Sequence, residues 1–507
     1  MDLTSVSFLL CLAGLLILYY LVPRRTQWII LLLASLGFYF AADLRAGIFL
    51  VFSIAITWLS GRGMADVYDR EPDERTAKAK AKRFLLLGML LNLAVLAGLK
   101  YLNFLLQNVS GLFGAHLPLL KLVLPLGISY YTFQTVGYLL DVYWRRTQAQ
   151  TNVLRLALFV SWFPQLIQGP IGRYDRLAPQ LLEGRAPDGD NFRRGLWRIA
   201  WGLFLKMVLA DWAGIFREAI FAAPEQYAGI TIFGTLLYTV ELYGNFAGGI
   251  DLAIGISLLF GVRLDENFRR PFFSGSLTEF WQRWHITLGT WMKDYVFFPL
   301  SMSKAMRRFG KGCKARFGKK TGRLLPLCVS NLIVFFLVGL WHGPSWANIG
   351  WGLYNGVIIA STNLLGERYG KLRSRLGIRE DAKGWRLVQI LRTFALINLS
   401  WYFDCAASVA EAFKIIGLSL THFAPAEFLR IAAGSAGTAY TPWALLTLTL
   451  GTLLVFIVEI LQERGKLSRE PERMHWLAQT ALILALLVSV PLLGPVSVGR
   501  GFIYAQF

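Results

Sequence analysis

The chain has 507 residues, of which 55% are hydrophobic and only 16% charged, against about 25% charged in an ordinary soluble domain. That balance excludes a water-soluble globular protein and predicts an all-α polytopic membrane protein. The net charge of +21 sits in short segments between apolar runs, so positive-inside topology and attraction to anionic membrane lipids account for it rather than nucleic acid.

The N-terminus reads Met-Asp-Leu-Thr-Ser before a long apolar run. It has neither the basic leader nor the small-residue cleavage site of a signal peptide, so 5–22 is expected as a retained first span. Further apolar runs follow at 27–42, 47–60, 84–99, 121–144, 324–341, 345–362, 387–403, 441–461 and 477–493. The stretch 152–262 carries runs at 153–168, 195–216 and 229–260, interrupted by Pro164, Pro170, Asp211, Gly244 and Gly248-Gly249. Broken helices at membrane depth are tolerated only inside protein or around a cavity, so this stretch is expected as inner lining. The count comes to roughly 10 to 13 spanning or re-entrant helices.

Four basic segments set the orientation: Arg24-Arg25, 61–83, 301–323 and 366–386. Read as loops, all four fall on the cytoplasmic side, and the runs between them alternate without conflict, with both termini outside. The segment 405–438, with Pro425, Gly434 and Gly437, reads as an external loop or interfacial helix. No internal repeat or low-complexity linker divides the chain, so 1–507 reads as a single membrane domain.

Four cysteines, Cys11, Cys313, Cys328 and Cys405, have neither metal nor redox spacing, so no metal is expected. Of the five histidines, His116, His422 and His475 sit in plain surface settings. His342 ends the apolar run 330–341 and opens His342-Gly343-Pro344-Ser345-Trp346, between Trp341 and Trp346. An ionisable group at the end of a span is costly and suggests function, although an interfacial histidine satisfied by hydrogen bonds stands equal on composition alone. His285 lies in Glu279-Phe280-Trp281-Gln282-Arg283-Trp284-His285, either a membrane-surface helix with aromatic anchors or a place where Arg283 seats a phosphate-bearing donor. From Arg323 to His342 is 19 residues, a helical climb of roughly 28 Å. His285 is therefore expected on the cytoplasmic flank, and His342 deep or toward the outside.

Together these residues resemble the membrane-bound O-acyltransferases. The resemblance is carried by Phe280-Trp281-Gln-Arg283-Trp284-His285-Ile-Thr-Leu and Gly339-Leu-Trp341-His342-Gly343-Pro-Ser-Trp346. Pro125-Leu-Gly127-Ile-Ser129, Phe163-Pro164-Gln165, Gln168-Gly169-Pro170-Ile-Gly-Arg173-Tyr174, Glu266-Asn267-Phe268 and Asn398-Leu-Ser-Trp401 add to it. It covers roughly 95–415, and its closer match is the bacterial branch of alginate O-acetyltransferase and teichoic-acid D-alanyl transferase subunits. The resemblance implies a ring of helices around a central tunnel, with His342 and His285 catalytic and with Trp341, Trp346, Arg283, Trp284 and Asn245 along the tunnel. It also implies acetyl-CoA as acyl donor substrate, an exported polysaccharide as acceptor, an SGNH-type extracytoplasmic partner and the bacterial inner membrane. The additional helices of 439–507 favour the alginate-like side. Two departures stand out: Tyr243-Gly244-Asn245-Phe246-Ala247 lacks the family's acid and hydroxyl, and Tyr402-Phe403-Asp404 replaces Phe-Phe-Arg after Trp401.

The chemistry expected is general-base acyl transfer, with His342 taking the proton of an acceptor hydroxyl. A Ser345 nucleophile three residues on is a lesser alternative. D-alanyl transfer, a lipid or protein acceptor, and a non-catalytic transporter or export scaffold stay open.

Overall fold

The computed structural model describes residues 3–114, 116–432, 442–470 and 474–495. Among them the regular structure is helical, and the one antiparallel bridge, Phe268 with Trp284, is isolated. Eight helices are long and apolar enough to cross a membrane: Arg24–Ala42, Gly47–Arg70, Glu74–Phe113, Gly189–Ala222, Ala228–Leu259, Lys304–His342, Pro442–Glu463 and Trp476–Leu493. Val6–Leu21 is apolar but shorter. Gly434 and Gly437 lie outside the described residues.

Burial separates an outer wall from an inner core. The apolar stretch of Ala228–Leu259 is 94% buried and that of Gly189–Ala222 is 78% buried, against 11% for Trp476–Leu493 and 28% for Glu74–Phe113. Leu10, Leu21, Leu90, Leu453 and Leu492 point outward, an arrangement costly in water and ordinary against lipid tails. The apolar runs within 152–262 are thus largely interior.

Two expectations are corrected. The basic segments are mostly helix, not loop. Gly47–Arg70 and Glu74–Leu96 run on past their apolar parts, because the Ala, Lys, Arg and Glu residues there are good helix formers. Trp346–Arg375 and Lys383–Cys405 likewise reach into 366–386. Lys304–His342 folds back at Gly318 (φ 81), so that Gly310 meets Pro326 and Gly322 meets Lys314; it is two helical arms, 304–317 and 319–342.

The second correction concerns the glycines of the inner helix. Pro164 and Pro170 do interrupt their run, leaving Val153–Ser161, the single turn Phe163–Leu166 and a buried irregular stretch. Gly244 and Gly248-Gly249 interrupt nothing, for Thr231–Leu259 is continuous through them. They serve close packing: a Cβ on Gly248 would stand 2.7 Å from the Gly202 carbonyl, and one on Gly255 would stand 2.7 Å from that of Gly195. Asp211 also breaks no helix; it follows a π-helical stretch, Phe204–Ala210, and pairs with Lys206 at 2.5 Å.

Buried charges pair across layers. Arg198 contacts Asp251 at 2.7 Å and Glu266 at 3.0 Å, and Arg469, beyond Pro442–Glu463, reaches the same carboxylates at 3.3 and 2.6 Å. Removing one partner from such a group leaves an uncompensated charge, so this cluster fastens the C-terminal pair of helices to the core.

The helix contact at Gly202 and Gly248 makes a direct prediction. Gly248→Ala gains helix propensity yet drives a methyl into a backbone carbonyl, so it should lower stability by about 1–3 kcal/mol. Gly14→Ala, with nothing within 4 Å, should leave it unchanged or slightly higher. Melting of the two purified variants in one detergent checks this.

Candidate active site

The helix carrying His342 stops where its sequence says it must. Pro344 cannot continue it, and Ser345 starts the next helix, Trp346–Arg375, by accepting the Asn348 N–H on Oγ at 3.1 Å. The two helices close tightly here. A Cβ on Gly339 would lie 2.4 Å from the Asn348 carbonyl, and one on Gly343 would lie 2.2 Å from Asn348 Nδ2. The Trp-His-Gly turn is therefore a hairpin between two packed helices.

A helix that ends within the protein leaves its last carbonyls without intrahelical partners. Lys100 meets one of them. It lies in a π-helical turn, Ala97–Tyr101, is 7% exposed, and donates from Nζ to the Trp341 carbonyl at 2.5 Å and to Ser129 Oγ at 3.4 Å. A cation is favoured at a helix C-terminus, and this one fixes the residue immediately before His342.

His285 is positioned differently. It stands between two short helices, Leu277–Arg283 and Ile286–Met292, with φ 46 and ψ 52. A non-glycine residue in the left-handed region costs of order 1–3 kcal/mol and persists where its surroundings over-determine it. Here Asn267 does so: its carbonyl accepts the Ile286 N–H at 3.0 Å, and its Oδ1 accepts the Thr287 N–H and hydroxyl, each at 2.9 Å. His285 Nδ1 lies 3.3 Å from the same Oδ1. Because that oxygen only accepts, Nδ1 is assigned the hydrogen, and Nε2 of the neutral ring carries the lone pair.

Trp341 joins the two histidines, with its ring centroid 5.6 Å from that of His285 and 5.0 Å from that of His342. Phe133 stacks on it at 5.9 Å, Phe246 meets His285 edge-on at 4.7 Å, and Trp351 meets His342 at 4.6 Å. His285 is thus not on a flank remote from His342. The run 279–288, open to reading as one surface helix, breaks at Trp284-His285 and turns inward, so both histidines contact one ring.

Two cavities adjoin this centre. One, of about 240 Å³, is lined by His342, Ser345, Asn348, Trp351, Trp284, Tyr238, Trp401, Phe403 and Asp404 among others. The other, of about 590 Å³, is polar and lies against Ile286, Thr287 and Thr290, the residues just after His285. It carries Arg146, Arg173, Arg176 and Arg269 together with Asp141, Asp175, Asp265, Glu266 and Asp294.

The other sequence-predicted residues divide. Trp341 and Trp284 are at the centre. Trp346 is not: it is 59% exposed and donates to Asn108 Oδ1 at 2.7 Å. Arg283 is held by Glu279 at 2.8 Å and Glu463 at 3.0 Å and lines neither cavity. Asn245 is buried in the inner helix, where its carbonyl accepts the Gln168 amide at 3.1 Å. Of the remaining histidines, His116 is exposed, His422 contacts Thr421 and His475 caps Trp476–Leu493. Sequence reasoning missed Lys100, which looked like the flank of an apolar run, and the role of Asn267. It also missed three of the four arginines, which nothing distinguishes among 52 basic residues.

Residues 148–311 match the model of the membrane-bound O-acyltransferase family. The chain is 32% identical over 406 residues to a probable alginate O-acetylase of Pseudomonas aeruginosa, covering 78% of this chain and 70% of that one. It is 29% identical over 513 residues to a peptidoglycan O-acetyltransferase of Helicobacter pylori, covering 94% and 89%. A teichoic acid D-alanyltransferase of Bacillus subtilis is 30% identical over 294 residues, 57% of this chain and 70% of that one. With its helical bundle, its apolar outer wall and these relatives, the chain belongs to the membrane-bound O-acyltransferase family, as a multi-pass membrane acyltransferase of the alginate O-acetylase-like branch.

Proposed function

We propose that the protein transfers acetyl from acetyl-CoA, entering on the cytosolic side of the bacterial inner membrane, to a hydroxyl of an exported polysaccharide. Transfer is direct or relayed by an SGNH-type extracytoplasmic partner. The observation that carries this reading is the position of His342, in the wall of one cavity and one indole away from His285, whose neighbours border the other.

The step is written for the chain's own residues. His342 takes the proton of an acceptor hydroxyl as the oxygen attacks the thioester carbonyl. The C–S bond then breaks, and the departing thiolate takes up the proton that His342 had accepted, which restores the neutral imidazole. His285, oriented by Asn267, stands toward the donor, and the aromatic rings around Trp341 limit water, which competes as acceptor. On the donor side Arg146, Arg173 and Arg176 are each paired with an aspartate, at 3.6, 2.8 and 2.8 Å. Arg269 is exposed and has no ion pair among the described residues, which leaves its guanidinium available to an incoming phosphate.

The relatives favour acetyl over D-alanyl. The O-acetyltransferase match spans 94% of the chain and the D-alanyltransferase match 57%.

Two results are expected. His342→Ala, at wild-type levels in the membrane, should lower transfer by about 10²–10⁴-fold, read as base-released acetate from surface and exported glycans. Retained acetate would make the chain a conduit and sink the mechanism. Lys100→Met removes a charge-assisted bond worth about 1.5–3 kcal/mol, so it should lower kcat by roughly 10- to 100-fold while leaving KM for the donor near wild type. An unchanged kcat would show that Lys100 does not position His342.

A further inference from the structure

The last two spanning helices enclose a hollow against the core that the acyl-transfer site does not use. Pro442–Glu463 and Trp476–Leu493 close on the core in the halves far from the segment that joins them. A Cβ on Gly451 would stand 2.4 Å from Leu209 Cδ2, and Trp212 donates from Nε1 to the Leu493 carbonyl at 2.7 Å. The joining segment is fastened separately, by Arg469. Between these attachments the two helices and Gly189–Leu203 surround a cavity of about 560 Å³.

Its lining is sorted by polarity. One end is apolar, with Trp201, Leu205, Leu454, Val458, Leu482 and Leu486. Leu454 and Leu482 are exposed, so a lipid tail reaches this end from the side. The other end carries Gln462, Ser468, Arg469, Arg269 and Arg270. Arg464 and Lys466 follow Gln462 in sequence, and such a basic turn between two spans belongs at the cytoplasmic surface. Most of the charges are already answered. Arg198 and Arg469 share Asp251 and Glu266, Arg270 pairs with Glu463 at 2.6 Å, and Glu459 accepts from the Tyr243 hydroxyl. Arg269 is exposed and has no ion pair among the described residues. A second crevice, of about 680 Å³ on the other flank of Pro442–Glu463, is apolar and has no lysine or arginine in its lining. A seam open to lipid tails therefore needs no cation, and the arginines of the first cavity call for a charged ligand.

We propose that this cavity binds one anionic phospholipid of the cytoplasmic leaflet, with an acyl chain along Leu454, Val458 and Leu482 and the phosphate against Arg269. Basic pockets between spanning helices at that surface take acidic headgroups. Four arginines against three carboxylates leave the lining with a positive excess, which favours a headgroup of net negative charge over a zwitterionic one. The lipid fills the space between the C-terminal helices and the core, so its binding stabilises the folded chain by mass action. Arg269 also borders the polar cavity beside His285, so it stands on the wall that the two cavities share.

The test measures binding without an acyl donor, so its outcome does not depend on whether His342 catalyses transfer. The full chain, purified in detergent, is titrated with phosphatidylglycerol or with phosphatidylcholine of the same chains, and bound lipid is counted by native mass spectrometry. The wild type is expected to bind phosphatidylglycerol about fivefold more tightly. Arg269→Gln, a change at an exposed side chain, should bring the two lipids within about twofold of each other. Val458→Trp, which fills the apolar end, should weaken both by about tenfold. Arg316→Gln, on the basic arm 304–317, should alter neither. Equal binding of the two lipids by the wild type, a preference that survives Arg269→Gln, or one lost in Arg316→Gln instead would overturn the proposal. So would undiminished binding by a folded Val458→Trp. sn-Glycerol 3-phosphate, a headgroup without chains, should not compete at the same concentration; displacement of the lipid by it would make this a site for free phosphate and sink the lipid reading. Phosphatidylglycerol should also raise the melting temperature of the wild type more than that of Arg269→Gln, and equal rises would count against the site.

Discussion

A backbone carbonyl that leaves its helix inside a hydrocarbon layer has no water to turn to and must find a donor within the protein. The site exists because that requirement is met at two places. The helix bearing His342 ends against the packed interior, and the carbonyl before the histidine is bonded by a buried lysine from a π-helical turn. The segment bearing His285 leaves helical geometry altogether, and Asn267 satisfies it from backbone and side chain together. Such breaks are permitted only behind an unbroken screen. The regular outer helices supply it, so the irregular interior and the regular wall are one solution to one constraint.

Close packing follows from the same requirement. The inner helix Thr231–Leu259 must lie near enough to its neighbours to exclude lipid and water from the irregular stretches beside it. Glycines at 202, 248, 195 and 255 bring the backbones together, while the paired charges of Arg198, Asp251, Glu266 and Arg469 hold the C-terminal helices against them. Asymmetry across the centre is then a matter of electrostatics. On the His285 side, arginines and carboxylates neutralise one another in a polar cavity. On the His342 side, aromatic rings dominate the lining of a smaller cavity.

Much of this was legible in the sequence, for identifiable reasons. Apolar runs mark helices because lipid demands them, and prolines at 164 and 170 mark interior breaks because the chain cannot hide them elsewhere. His342 stood out because an ionisable group beside Trp and Gly at a span end is expensive. What was not legible depends on distance in three dimensions. Glycine reads as a breaker in one dimension and acts as a spacer in three, hence the continuous inner helix through Gly244 and Gly248. Basic segments read as loops because charge signals the membrane surface, yet Lys, Ala and Glu propagate helices beyond it. Trp346 shares a motif with His342 but not a direction, since the turn at Gly343-Pro344 carries it outward to Asn108. Lys100 lies 241 positions before the carbonyl it holds, and no local pattern connects the two.

The division of labour between the cavities bears on how one fold serves several acyl acceptors. Proton transfer needs the imidazole, its orienting contacts and a dry aromatic surround. Those groups come from helix ends and turns whose positions are dictated by backbone satisfaction, so they are hard to vary without losing the fold. Acceptor choice can therefore vary in the linings of the cavities, whose side chains carry no such obligation to the backbone, rather than at the histidines themselves.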